Sequence, residues 1–332
     1  MLRHSTAGDV RERRQGLVMR KSQGAYVVDR GTDTILCAIS NKLRKQLVYP
    51  IADPASLRRR VVAVDEIRAV DPIAIGDVVE YVDGSDGTGQ ILDVLPRANK
   101  LVRRAAGRKL LEQVIVANID RVVLVFAAAE PAPYWALLDR YLATVELHEL
   151  SPLICITKID LVDRADLEDE VRDYERIGYP IVLTSAATGE GIAAMRDALR
   201  DRTSVLVGKS GVGKSSLLNA VEPGLGLRVG EVSKWTGKGR HTTTQLEMFR
   251  LGDGGAVVDT PGMREFAIWD ISEVDLAHLF PEMRPFLGQC RFGASCAHDR
   301  EPGCAIKAAV ERGEISERRY LSFLRLNDWE EE

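Results

Sequence analysis

The chain has 332 residues, 45 % of them hydrophobic and 28 % charged, with a formal net charge of −4; this composition suits a globular protein of two or three domains and excludes collagen-like and low-complexity chains. No run of about 18 apolar residues is present to span a bilayer, and the opening stretch MLRHSTAGDVRERRQ lacks a signal peptide's apolar core, so a cytoplasmic protein without membrane attachment is expected. The charge is uneven: residues 1–110 hold 20 Lys and Arg against 13 Asp and Glu, and the remainder holds 25 against 36.

Residues 1–15 read as a basic tail containing RERR at 11–14. From Gly16 to Arg104 short Val- and Ile-rich runs alternate with Gly, Asp and Pro: GLVMRK, AYVVD, TILCAIS, VVAVDEI, DVVEYV and GQILDVL. Such spacing predicts a small β-barrel or sandwich over 16–105, with a turn-rich loop at 82–90. Further basic clusters stand at 42–45 (KLRK), 57–60 (LRRR) and 97–104 (RANKLVRR). They are either an electrostatic footprint for nucleic acid or solvated faces.

Past residue 105 the rhythm changes, and 106–271 is taken as one α/β domain. DRVVLVFAAA (120–129) is a buried strand, 134–148 has helical spacing, LICITKID (153–160) runs from strand into loop, and 166–178 is an acidic helix stopped by Gly178. PIVLTSA (180–186), TSVLV (203–207) and GAVVDTPG (255–262) are further strands. Strands alternating with helices imply a parallel sheet covered on both faces. From 272 onward the chain is predicted helical, with AIKAAVERG closed by Gly313, a last helix capped by Ser316, and Tyr320, Phe323 and Trp329 in its core.

GKSGVGKSS (208–216) follows the strand TSVLV and opens a helix, the context a phosphate-binding loop requires. Gly208, Lys209, Ser210, Gly211, Val212 and Gly213 would wrap a phosphate with backbone N–H groups. Lys214 would reach the β- and γ-phosphates, Ser215 would ligate Mg²⁺, and Ser216 continues the cradle. Upstream, Thr157, Lys158, Ile159 and Asp160 end a strand, where ligands bind in open parallel sheets. A carboxylate there can accept two hydrogen bonds from guanine, which adenine cannot offer, and Ser185 and Ala186 follow the next strand to meet guanine O6. Asp259 is placed to hold Mg²⁺ through water, and the Gly262 N–H to sense the γ-phosphate. The polar loop at 234–244 offers Thr242, Thr243 or Thr244 to the metal, Thr243 being preferred.

The order is tetrad, Ser-Ala turn, phosphate loop, threonine loop and DxxG turn, which is a circular permutation of the usual GTPase cycle. New termini are tolerated where loops are exposed. Near the end, Cys290, Cys296, His298 and Cys304 supply three thiolates and an imidazole, a closed tetrahedral set suited to one structural zinc ion.

These motifs, with GDVVEY, PRANKLVRR, NIDRVVLV, GRHTTT and DTPGMREF, resemble the circularly permuted GTPases, and within them the ribosome small-subunit-dependent GTPase A (RsgA/YjeQ) family. The resemblance implies an N-terminal OB-fold barrel that binds RNA, a permuted P-loop GTPase core and an α-helical zinc domain over 272–332. It also implies late maturation of the 30S ribosomal subunit, with contact to its 16S rRNA, GTP hydrolysed to GDP under stimulation by that subunit, and a monomer. The family's gap between the first two cysteines is usually one residue shorter, so a bulged loop is expected after Cys290.

Met263 stands where many GTPases carry a water-orienting glutamine. A thioether cannot orient water, so His241 in the mobile loop is expected to swing in when RNA or ribosomal protein orders that loop. Two other readings are weighed: a GTPase whose cysteines hand on zinc, and a non-catalytic RNA-binding protein. Four ligands in one compact run oppose the first, and intact Lys214, Ser215, Asp160 and Asp259 oppose the second.

Overall fold

The computed structural model describes residues 12–22, 24–44, 72–104, 112–227, 246–259 and 276–327. The strand expected at 61–67, the loop carrying His241 and Thr242 to Thr244, Gly262, Met263 and Trp329 lie outside these residues. Two compact units emerge: Met1–Ile119 with Gln245–Met248, and Asp120–Thr244 with Phe249–Glu332.

In the first unit, β1 (Arg14–Ser22), β2 (Ala25–Asp29), β3 (Thr34–Ile39), β4 (Val78–Asp83) and β5 (Gly89–Val94) pair in the order β1-β2-β3-β5-β4, and β4 returns to β1. The ring is a closed five-stranded, OB-like barrel, in which only β3 and β5 run parallel. Closure leaves no free edge. Alternate residues point inward, so Val18, Val28, Ile35, Cys37, Val79, Tyr81 and Ile91 fill the interior. Gly89 is required where β5 passes Cys37: an ideal Cβ there would sit 2.5 Å from the Cys37 Sγ. The short helix α1 (Asn41–Arg44) follows β3, with Leu43 buried.

A hairpin of β6 (Lys100–Arg104) and β7 (Glu112–Ala117) completes the first unit. It was not apparent in the sequence, which read RANKLVRR only as a basic cluster. One cation of that cluster is structural: Arg97 donates through Nε and Nη2 to the fully buried Asp77, both at 2.7 Å.

The second unit is built on the parallel sheet β10-β9-β8-β11-β13, comprising β8 (Arg121–Ala127), β9 (Pro152–Thr157), β10 (Ile181–Leu183), β11 (Thr203–Val207) and β13 (Ala256–Asp259). The short strand β12 (Glu247–Arg250) precedes the last of these. Helices α4 (Ile192–Leu199) and α5 (Lys214–Val221) cover one face through Met195, Leu199, Leu217, Leu218 and Val221. Helix α2 (Trp135–Leu147) packs on β8, its Tyr141 ring edge-on to Phe126 at 5.9 Å. The acidic helix α3 (Glu168–Ile177) stops at Gly178, whose φ of +102° closes the last turn as anticipated.

The C-terminal part departs from continuous helix. Residues 276–279 and 284–286 are 3-10 turns, with Pro281 and Pro285 interrupting α-helical hydrogen bonding. Regular helix resumes only in α6 (Ala305–Glu311) and α7 (Glu317–Asn327). No described helix is long and apolar enough to cross a membrane.

Candidate functional site

The predicted nucleotide motifs follow the C-terminal ends of β9, β10, β11 and β13, strands of one parallel sheet in which β8 lies between β9 and β11. The loop 208–213 leaves β11 and turns into α5 at Gly213, whose φ of +92° starts the helix. Gly208 lies so close to β8 that an ideal Cβ would be 2.3 Å from the Val125 carbonyl oxygen. Any larger residue would push the loop off the sheet. Lys214 is 9 % exposed and donates from Nζ to the carbonyls of Gly208 (2.7 Å) and Lys209 (3.1 Å), so its ammonium is centred inside the loop's own ring. Burial holds this lysine below its usual value, and the charge of Asp259 partly opposes that shift. Asp259 ends β13, and the register sets it opposite Leu206 of β11.

The tetrad docks onto this loop. The Thr157 hydroxyl donates to the Val212 carbonyl at 2.5 Å, and Lys158, at φ 56°, brings its Cε to 3.9 Å from where a Gly213 Cβ would lie. Lys158 Nζ bonds the Glu130 carbonyl. Ile159 is buried and Asp160 exposed in the following 3-10 turn, which is tied to the next strand by Ile159 N–H to Thr184 O at 3.3 Å. Ser185 is buried, its N–H donating to Glu190 O and its Oγ accepting from Thr188 N, while Ala186 is exposed. Lys209, Ser210 and Gly211 are exposed and Ser215 and Ser216 half-buried. Sequence reasoning missed the segment Glu130–Tyr134, which lies beside the loop: the Lys209 ammonium sits 5.6 Å above the Tyr134 ring, and Pro131 flanks Gly211.

Cys290, Cys296, His298 and Cys304 converge, their ligand atoms all within 4.8 Å of one another and all four residues buried. Tetrahedral zinc with ordinary bond lengths separates two sulfurs by about 3.8 Å and a sulfur from a nitrogen by about 3.6 Å. The Cys290 and Cys304 sulfurs are 3.8 Å apart, and each is 3.5 Å from His298 Nδ1. The donor set fits the ion. Ala305 N–H donates to the Cys290 sulfur at 3.3 Å, the kind of outer contact that orients a thiolate. Burial beside other thiols pushes Cys296 up to about 12, a cost that a bound cation reverses. A 3-10 turn at Gly293–Ser295 lies between Cys290 and Cys296.

A second cluster had no sequence signal. Asp139 of α2 is fully buried and accepts four hydrogen bonds: on Oδ1 from Tyr174 Oη (2.7 Å) and Arg319 Nη1 (2.9 Å), and on Oδ2 from Arg318 Nη1 (3.1 Å) and Ser322 Oγ (2.6 Å). Arg319 also donates to Glu282 at 2.7 and 3.1 Å and lies 4.6 Å over the Phe280 ring. Burial works against its charge, but Asp139 and Glu282 more than offset this and hold it well above the usual arginine value.

A phosphate loop after an inner strand of a parallel sheet, flanked by a Thr-Lys-x-Asp turn and a Ser-Ala turn in permuted chain order, defines a P-loop nucleotide-binding protein of the GTPase class. The RsgA GTPase family model matches residues 94–269. Curated relatives called "Small ribosomal subunit biogenesis GTPase RsgA" include one from Gemmatimonas aurantiaca, 45 % identical over 82 % of this chain and 89 % of its own, and one from Caldanaerobacter subterraneus, 37 % identical over 95 % of each. Among solved structures, YjeQ from Thermotoga maritima superposes with a TM-score of 0.71 at 36 % identity, covering 95 % of this chain and 97 % of that one. YloQ, described as a circularly permuted GTPase, gives 0.68 at 32 %, covering 97 % and 96 %. The chain belongs to the RsgA GTPase family, and it is a circularly permuted GTPase.

Proposed function

We propose that this GTPase assists late maturation of the small ribosomal subunit in the cytoplasm, binding 16S rRNA of the 30S particle as a monomer and hydrolysing GTP to GDP and phosphate under the particle's stimulation. The relatives' shared designation as small-subunit biogenesis GTPases supports the pathway. The observation that carries the nucleotide reading is the docking of Thr157 and Lys158 onto the phosphate loop at Val212 and Gly213. It brings a guanine-reading turn and a phosphate cradle within reach of one ligand.

In this reading residues 208–216 wrap the phosphates, and Lys214 exchanges its carbonyl partners for phosphate oxygens. Exposed Asp160 reads the guanine edge. Because the Ser185 N–H is engaged by Glu190 O, the donor to guanine O6 falls to Ala186. Ser215, Asp259 and Thr243 hold Mg²⁺, which supplies charge neutralisation at the phosphates when bound. Gly262 senses the γ-phosphate, and His241 orients the water. One zinc ion held by Cys290, Cys296, His298 and Cys304 would be structural, and the burial of these four residues supports permanence over transfer. The division expected from the sequence is 1–15, 16–105, 106–271 and 272–332; because 105 cuts the β6–β7 hairpin of the first compact unit, we move that boundary to 119 and keep the others. On the metal turn, Phe292 is 49 % exposed with the Arg291 guanidinium 5.9 Å from its ring centre, which suits stacking of an unpaired base.

GTP turnover measured alone, with purified 30S subunits, with 50S subunits and with ATP in place of GTP tests the proposal. Stimulation by 30S alone is expected; equal turnover of ATP, or no response to 30S, overturns it.

A further inference from the structure

The two ends of helix α2 touch different functional parts of the second unit. Its N-terminal approach, Glu130–Tyr134, contacts the predicted nucleotide site at three points: Glu130 O receives the Lys158 ammonium, Pro131 flanks Gly211, and Tyr134 lies under Lys209. Tyr134 O also accepts from Leu137 and Leu138, which fixes this approach to the first helical turn. Asp139 lies about 7.5 Å further along the helix axis. Three of its four hydrogen-bond donors, Arg318, Arg319 and Ser322, come from α7.

Helix α7 in turn braces the metal turn. Tyr320 Oη donates to the His298 carbonyl at 2.7 Å, and Phe323 lies 6.4 Å from the His298 ring within the same apolar cluster as Cys290, Cys296 and Cys304. A second tie runs from Arg284 to Glu146 at the far end of α2, at 2.6 Å.

We infer that Asp139 is a positioning residue for the nucleotide site: it fixes α2, and with it the Glu130–Tyr134 segment, against a helix whose own placement depends on the metal turn, so that zinc occupancy and guanine-nucleotide affinity are linked. The inference rests on the zinc and nucleotide assignments proposed above. Without the ion, three thiols and an imidazole lose their common centre, and the contacts of His298 with Tyr320 and Phe323 go with it. The donors on α7 then shift from a carboxylate that has no water to replace them. A buried charge left short of donors is costly, so α2 follows α7. Linkage makes the effect reciprocal: bound nucleotide also tightens zinc.

The test is a cycle on the full-length protein. Dissociation constants and release rates for a fluorescent GDP analogue are measured for wild type and Asp139→Asn, each zinc-loaded and each stripped by a chelator, with metal content and circular dichroism recorded throughout. Stripping the wild type is expected to weaken GDP binding about fivefold or more. Zinc-loaded Asp139→Asn is expected to be weakened comparably with its zinc content intact, and stripping it to add less than about twofold, because one device has been broken twice. Should Asp139→Asn fail to fold, Ser322→Ala removes one donor and carries the same cycle. Unchanged wild-type affinity after stripping, or effects that simply multiply, overturns the inference. Failure of zinc-loaded wild type to bind GDP at all would instead sink the nucleotide assignment.

Discussion

Two clusters of opposite charges, one on the barrel and one between α2 and α7, use the same residue types under different access to water. On the barrel, Arg14 meets Asp83 at 2.8 Å and Arg13 meets Glu80 at 3.2 Å, with side chains 26–67 % exposed. Between the helices, Arg319 and Asp139 are 1 % and 0 % exposed at a similar 2.9 Å. Exposed pairs exchange one set of hydrogen bonds for water's and gain little. Buried pairs gain only if every donor and acceptor is met, and they fail badly when one is removed. Similar distances thus carry opposite sensitivities.

The largest break is expected from removing the proposed zinc ion, whose three cysteine ligands pack in one apolar cluster with Phe323 of α7. Chelation is expected to remove binding-linked stability of about 10 kcal/mol from the C-terminal part, read as a collapse of its melting transition; an unmoved transition with zinc verified absent refutes the brace. Next, Asp139→Ala leaves Arg319 with Glu282 alone as its carboxylate partner and Arg318 with the Tyr174 hydroxyl, and should lower unfolding free energy by about 3–5 kcal/mol in urea titrations, where a loss below about 1 kcal/mol would mean that water enters the cluster.

Lys214 sharpens the comparison as a buried cation satisfied by carbonyls. Its lowered value means that keeping the ammonium charged costs stability at neutral pH, and this cost fades as pH rises through the folded value. Phosphate binding restores the charge, so GDP binding should take up protons in alkaline buffer and weaken as pH climbs. Calorimetry in buffers of different ionisation heat reads the uptake, and proton release would contradict it.

The smallest effect is expected at Arg30, whose guanidinium meets Asp33 and, at 3.6 Å, Asp83. The hydrogen bond from Arg30 holds Asp33 below its usual range. Its contribution is therefore present above the unfolded carboxylate value and is lost as pH falls through the lower folded one. Being exposed, the pair is screened, and Arg30→Ala should leave the melting midpoint unmoved at about 1 M salt, where screening acts within about 3 Å. A large shift there would show that the barrel cluster is less wet than its exposure implies.

What could be read from the sequence follows the same divide between local and distant. The glycine-rich turn at 208–213, the glycine stop after α3 and the run of three cysteines and a histidine are patterns within a few residues, and the structure shows the turn between β11 and α5, the stop at Gly178 and the convergence of the four side chains. Asp139 could not be found this way, because a single acid on a helix reads as solvated and its arginines lie 179 and 180 positions later. Arg97 looked like one more surface cation until the fold carried Asp77 beneath it. The β6–β7 hairpin was missed because the change of rhythm placed at residue 105 falls between two strands that pair with each other.

The strand order also has a consequence during synthesis. β8, β9 and β10 leave the translating ribosome before β11, yet β11 belongs between β8 and β13. In the interval before β11 is made, the β8 segment VVLVF is apolar and has no partner on the side that β11 will occupy. Such an edge invites mispairing. It is sealed only by Thr203–Val207, the strand that leads into the loop 208–213, so covering the β8 edge and forming that loop are one event in the birth of the chain.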